Sequence, residues 1–161
     1  MQDVEQEFFI ETKIGKLLIG VSQNRIARIS FNQPNNTLKG IKPKVVTNLE
    51  NQLLEYFNGH RKTFQLEYSL SGTDFQKEVW KKLLDIPYGK TISYGKLAAQ
   101  LGDVKKIRAV ANAVGKNPVP IVIPCHRVVG MHGNLTGYIG GLTNKRFLIE
   151  LESNRQLGLF N

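Results

Sequence analysis

The segment Asn117-Pro-Val-Pro-Ile-Val-Ile-Pro-Cys125-His126-Arg127-Val-Val-Gly130 restricts this chain more than any other. Its prolines, Pro118, Pro120 and Pro124, fix φ and remove backbone donors, which rules out a helix interior or a central strand. The apolar run from Val119 to Ile123 is too short for a helix and is expected to be a buried extended segment. It leads into the only cysteine of the chain, beside a histidine and an arginine. A thiol is nucleophilic as thiolate, and cationic or basic neighbours lower its pKa from about 8.5. A solitary cysteine is otherwise a small buried hydrophobe. Adjacent side chains on an extended chain point to opposite faces, so Cys125 and His126 need a turn or a bridging water to communicate.

One cysteine permits no intramolecular disulfide, and no Cys/His cluster has zinc-ligand spacing, so no metal is expected. The first residues, Met-Gln-Asp-Val-Glu-Gln-Glu, are acidic where a signal peptide is basic, and no apolar run approaches the ~18 residues of a membrane span. These features lead to the expectation of a soluble, cytoplasmic protein without a membrane partner. The net charge is +9, and its distribution is uneven. Residues 1–70 carry nine Lys/Arg against seven Asp/Glu, whereas residues 71–161 carry thirteen against six. A basic surface concentrated in one half is the footprint of a polyanionic partner.

The 161 residues divide into an expected α/β domain, 1–70, and a mainly α domain, 71–161. Phe8–Ile10, Leu17–Val21 and Ile26–Phe31 are short apolar runs separated by turn residues, a pattern for an antiparallel meander. Asn32 to Pro43 is expected to be a loop. Thr47 and Glu50 have capping-box spacing for a helix bearing Leu49, Leu53, Leu54 and Phe57 and stopping at Gly59. Thr63 to Tyr68 alternates as a last strand, and Ser69 to Thr73 is the expected linker.

Thr73 and Gln76 form a second capping box, with Phe75, Val79, Trp80 and Leu83 on one helical face. Ser93 is expected to cap a helix through Leu101, and Asp103 another through about Val114, closed by Gly102 and Gly115. Two short helices with a tight glycine-containing turn make a helix-turn-helix pattern. Lys105, Lys106 and Arg108 make the second helix basic, while Ala109, Ala111 and Ala113 keep part of its surface small. From Lys90 to Arg127 there are seven basic residues and one acidic one, which favours DNA over a merely solvated edge. Gly140 and Gly141 precede a C-terminal helix, expected to be capped by Thr143, on which Glu150 and Glu152 face different ways.

The string around Cys125 closely resembles the active-site signature of the O6-alkylguanine-DNA alkyltransferases, also called methylated-DNA–protein-cysteine methyltransferases. The resemblance runs from about Thr73 to Glu152 and is weaker over the first seventy residues. It implies a ribonuclease-H-like N-terminal domain and a C-terminal helix-turn-helix domain that repairs double-stranded DNA containing alkylated guanine. It implies irreversible transfer of the alkyl group to Cys125, once per molecule, by a monomer without a cofactor. O4-alkylthymine is a further substrate to be considered.

The resemblance also assigns roles. His126 is the base, acting through a water, and Glu152 orients its imidazole. Tyr94 assists the leaving guanine, and Asn117 links the recognition helix to the active-site segment. Arg108 takes the place of the flipped nucleotide, and Tyr94, Gly95, Lys105, Ala109 and Ala111 belong to the DNA-binding surface. Pro120, Val128, Tyr138, Ile139 and Gly140 belong to the substrate pocket; many relatives carry a small residue where this chain has Ile139. A helix-turn-helix regulator would leave Cys125, His126 and Glu152 without purpose. A Cys–His hydrolase would regain its free thiol.

Overall fold

The computed structural model describes residues 3–32 and 40–154. The chain separates into two compact units, Met1–Ser71 and Gly72–Asn161. Of the expected loop from Asn32 to Pro43, residues 33–39 lie outside the described residues.

In the first unit, β1 (Gln6–Thr12), β2 (Gly15–Ser22) and β3 (Arg25–Ser30) pair as an antiparallel meander. Gln23 and Asn24 both adopt positive φ, 49° and 58°, the conformation whose twist matches a two-residue hairpin. Ile10, Leu17, Ile19, Ile26 and Ile29 are buried, and α1 (Lys44–Phe57) covers them with Val46, Leu49, Leu53 and Phe57. Leu54 does not join that face and is exposed. The helix also starts earlier than its Thr47–Glu50 spacing suggests. Pro43 is the N-cap residue, and the Thr47 hydroxyl donates to the Lys44 carbonyl at 3.0 Å inside the first turn. Proline is favourable at a helix entrance because the amide it lacks is one the helix could not satisfy there.

Thr63 to Tyr68 does not form a regular strand. It meets β3 at a single bridge, where Ile26 donates to the Glu67 carbonyl at 3.0 Å and Ser69 donates to Ile26 at 2.9 Å. The buried Gln52 takes the place of a neighbouring strand: its side-chain amide donates to the Gln65 carbonyl and accepts from the Gln65 amide, both at 2.8 Å. Alternation in sequence therefore reported half-burial of one face, Phe64, Leu66 and Tyr68, not ladder pairing.

In the second unit, α2 (Asp74–Leu83) begins with the expected Thr73–Gln76 capping box and buries Val79, Trp80 and Leu83. β4 (Ile92–Ser93) leads into α3 (Tyr94–Gln100), capped by Ser93. Asp103 caps a single 3-10 turn, Val104–Lys106, rather than an α-helix, and α4 (Ile107–Gly115) follows it. Ala113 of α4 faces inward: it is buried, and its carbonyl accepts the Trp80 indole N–H at 2.8 Å. Only Ala109 and Ala111 remain for an outer surface. β5 (Val128–Val129) pairs in parallel with β4, Ile92 beside Val128 and Ser93 beside Val129. The last helix, α5 (Leu142–Ser153), starts from Gly141 at φ 87°, so Thr143 lies within it and does not cap it. Among the described residues no helix is long and apolar enough to cross a membrane.

Candidate active site

The segment before Cys125 is a folded turn, not an extended run. Ile123 donates back to the Val119 carbonyl at 3.0 Å, and Ile121 between them adopts φ 75°, a conformation strained for a β-branched residue. Asn117 holds this turn from within. Its side-chain N–H donates to the Ile123 carbonyl at 2.8 Å, and its side-chain oxygen accepts from the Val119 amide at 3.0 Å. Prolines withhold the donors that a regular element would use, so a buried side-chain amide supplies them. Pro124 then sits at φ −81°, ψ 63°, with the Cys125 amide bonded to the Ile123 carbonyl at 2.8 Å, an inverse γ-turn. Cys125, His126 and Arg127 form one 3-10 turn. In a 3-10 turn successive side chains lie about 120° apart and not on opposite faces as in a strand.

The turn ends in β5, whose partner β4 precedes Tyr94. This short parallel pair brings Tyr94 and Cys125 to one cavity of about 530 Å³. Ile107, Arg108, Ala111, Val114 and Gly115 form its α4 wall, and Thr136, Gly137, Tyr138 and Ile139 the opposite loop. The cavity therefore joins residues assigned to DNA binding with residues assigned to the substrate pocket. Pro120, Val128 and Gly140 are not among its lining residues, although Pro120 and Val128 are buried. Gly95 lies in the first turn of α3, while Lys105 and Ala109 are exposed outside the cavity.

Behind Cys125, three buried ionisable groups converge. His126 Nε2 lies 2.7 Å from Glu152 Oε1. Arg127 donates through Nε to Glu152 Oε2 at 2.8 Å, through Nη2 to Oε1 at 2.9 Å, and through Nη1 to the Ile86 carbonyl at 2.7 Å. Burial by itself raises the Glu152 carboxyl, but hydrogen bonds and charge from His126 and Arg127 outweigh it and hold the pKa at about 2. An ionised carboxylate can only accept, so His126 carries its proton on Nε2 and leaves Nδ1 bare. Nδ1 is buried and has no hydrogen-bond partner among the described residues. Burial lowers the His126 pKa, and Arg127 and Lys145 reinforce that against Glu152, so the ring is a neutral base.

The cysteine departs from the expectation set by its neighbours. Burial pushes its thiol up to about 11, although the Asn117 amide and the Lys145 charge pull the other way. Its cationic neighbour in sequence, Arg127, is spent on Glu152. At neutral pH the thiol is therefore protonated, so the site holds a thiol and a neutral imidazole, not a thiolate.

Lys145 is the functional-looking residue that sequence reasoning missed. It is buried, donates through Nζ to the carbonyls of Thr136 at 2.8 Å and Gly137 at 3.3 Å, and lies 5.8 Å from the Tyr94 ring centroid. Desolvation lowers its pKa, and Cys125 raises it. Its spacing carried a signal: Lys145, Leu148 and Glu152 recur at helical intervals on the buried face of α5. Tyr94 is held protonated, chiefly by burial, against a hydrogen bond from Thr136. Burial likewise raises Tyr138 well above the usual phenol range.

Residues 74–154 match the family model for the 6-O-methylguanine DNA methyltransferase, DNA binding domain. A methylated-DNA–protein-cysteine methyltransferase of Mycobacterium tuberculosis is 49% identical over 123 residues, which is 76% of this chain and 74% of the relative. The constitutive methylated-DNA–protein-cysteine methyltransferase of Bacillus subtilis is 43% identical over 151 residues, 88% of this chain and 92% of the relative. The crystal structure of Mycobacterium tuberculosis OGT in complex with DNA matches with a TM-score of 0.81 and 41% identity, covering 92% of this chain and 93% of that one.

Proposed function

This chain belongs to the methylated-DNA–protein-cysteine methyltransferases, and from that membership we infer that it repairs DNA directly, moving an alkyl group from guanine O6 to Cys125. The observation that carries the reading is the buried thiol at the wall of a cavity shared with Arg108 and Tyr94, with a neutral His126 behind it. In the step itself, an Sγ–carbon bond forms as the carbon–O6 bond breaks. The thiol proton passes through a water to His126 Nδ1. Tyr94, protonated and in the same cavity, donates a hydrogen bond to the departing guanine, which finally takes up one proton. Atoms balance without a cofactor. Among the described residues no cluster of His, Cys, Asp and Glu is placed to hold a metal ion.

A buried alkyl acceptor cannot reach O6 inside a stacked duplex, so the nucleotide is flipped out, at a cost of a few kcal/mol. We read α3 and α4 as a helix-turn-helix pair, with Arg108 filling the vacated stack and the small Ala109 and Ala111 allowing close backbone approach. Gly95 and Lys105 extend that surface along the phosphates. Tyr138 and Ile139, which line the cavity, face the flipped base and its alkyl group; Pro120, Val128 and Gly140, expected in the same pocket, lie outside that lining. The first unit is read as a ribonuclease-H-like supporting domain. A thioether is not reversed by thiol exchange, so each molecule acts once, as a monomer.

Incubation with a duplex containing a single O6-methylguanine, followed by the mass of the intact chain, tests this. One added methylene per chain, located on the Cys125 peptide, is expected. Repeated turnover with a free thiol would instead favour a hydrolase.

A further inference from the structure

We propose that Arg127 is a positioning residue for alkyl transfer: its guanidinium fork clamps both oxygens of Glu152, so that His126 is held with Nε2–H toward the carboxylate and Nδ1 free for the Cys125 proton. This rests on His126 being the base. The sequence places Arg127 next to the nucleophile, where it reads as a charge that activates the thiol. In the structure its charge is directed the other way, into α5.

Donors converging on the Glu152 carboxylate include His126 Nε2 at 2.7 Å, Arg127 Nη2 at 2.9 Å, Arg127 Nε at 2.8 Å, and the Gly89 amide at 3.3 Å. The carboxylate cannot turn without breaking the fork. The guanidinium is itself fixed by the Ile86 carbonyl at 2.7 Å and lies 5.7 Å from the Tyr88 ring centroid. Arg127 thus ties the Cys125–Arg127 turn to α5 and to the segment after α2 through one rigid plane. Bidentate geometry of this kind is available to arginine and not to lysine, which supplies a point charge.

Orientation is one consequence and protonation is the other. A carboxylate alone against an imidazole favours the imidazolium, which cannot accept a proton. The charged groups facing His126 are Glu152 and Lys145 from α5 and Arg127 from its own turn. The two cations oppose imidazolium formation and the carboxylate promotes it, so removing Arg127 shifts the balance toward a ring that is already protonated.

The test uses the full chain with ¹⁵N-labelled histidine, as wild type, Arg127→Lys and Arg127→Met. Ring ¹⁵N shifts report the tautomer and titration of His126, and transfer from free O6-benzylguanine across pH reports activity without a DNA-binding step. The wild type is expected to carry its proton on Nε2. Arg127→Lys should give mixed tautomers and roughly tenfold slower transfer, with the acid limb of the pH profile in place. Arg127→Met should move that limb to higher pH. A wild-type ring protonated on Nδ1, or a folded variant that keeps the wild-type tautomer, titration and rate, overturns the proposal. If Arg127→Met does not fold, Arg127→Lys, which keeps a buried cation, decides it. Altered tautomers with undiminished transfer would remove His126 as the base and leave the clamp standing.

Discussion

Glu152 Oε1 lies 2.7 Å from His126 Nε2, across 26 residues of sequence and with both side chains buried. That contact sets the tautomer of the only histidine in the Cys125 turn. In the proposed mechanism it also sets the direction in which a proton leaves the thiol, and makes this pair more important to reactivity than the charge around the cysteine.

Because Cys125 is held near 11, transfer through a preformed thiolate would accelerate about tenfold per pH unit between 7 and 10. Transfer assisted by neutral His126 should instead be flat over that range and fall only on acidification. Single-turnover rates with free O6-benzylguanine separate the two, and a tenfold rise per unit would remove His126 from the mechanism.

Stability should follow pH with a defined sign. His126 and Glu152 both have folded pKa values below their ordinary 6.5 and 4.5, so the unfolded chain binds more protons on acidification. Their contribution is fully present above about 6.5 and is lost as pH falls, the Glu152 part through about 2. Cys125 is raised from 9.0 to about 11, so its contribution is present below 9.0 and is lost above it. A melting temperature that increases between pH 6.5 and pH 4.5 would contradict this.

Arg108→Ala should slow repair of a duplex more than transfer from the free base. The side chain is exposed at the cavity wall on α4, and its proposed role is confined to extrusion of the nucleotide. A few kcal/mol of unstacking cost makes a loss of about 10–100-fold in duplex the expected scale. Equal slowing of both substrates would remove Arg108 from base flipping.

Asn117→Ala should destabilise the protein and abolish transfer together. It leaves the Val119 amide and the Ile123 carbonyl without their partner inside the turn, at a cost of about 1–3 kcal/mol for each buried group. Denaturant melts of the purified variant measure the first effect. A variant as stable as wild type would mean that the turn is held by its prolines alone.

Alkylated protein should melt earlier than free protein. Cys125 is 4% exposed, and an added alkyl group has to be housed between the turn and the cavity wall. Extra methylenes in packed surroundings cost ~1–3 kcal/mol, with a larger loss for benzyl than for methyl. Coincident melting curves for free, methylated and benzylated protein would place the group wholly in the open cavity.

Much of this site was legible in the sequence because its parts lie in continuous strings. Cys125, His126 and Asn117 sit within one proline-punctuated segment, and the Thr73–Gln76 capping box, the glycine stops and the basic run around Arg108 are local signals. Local chemistry also located β1–β3, α2 and α3. It misplaced the start of α1, where Pro43 outcompeted Thr47, and it took the buried run from Val119 to Ile123 for an extended segment. The seventh helical position before Glu152 held Lys145 in plain view, but a lysine reads as solvated unless its surroundings are known.

The amino-acid sequence by itself determined the nucleophile, the family and the basic half of the chain, since each depends on residue identity at short range. Only the tertiary structure decided the state of that nucleophile. Charge in sequence is a property of composition, whereas a pKa depends on what remains of solvent and on which partner each charge faces. Folding brings Glu152 to Arg127 and His126, so the arginine beside Cys125 neutralises a carboxylate and burial keeps the thiol protonated.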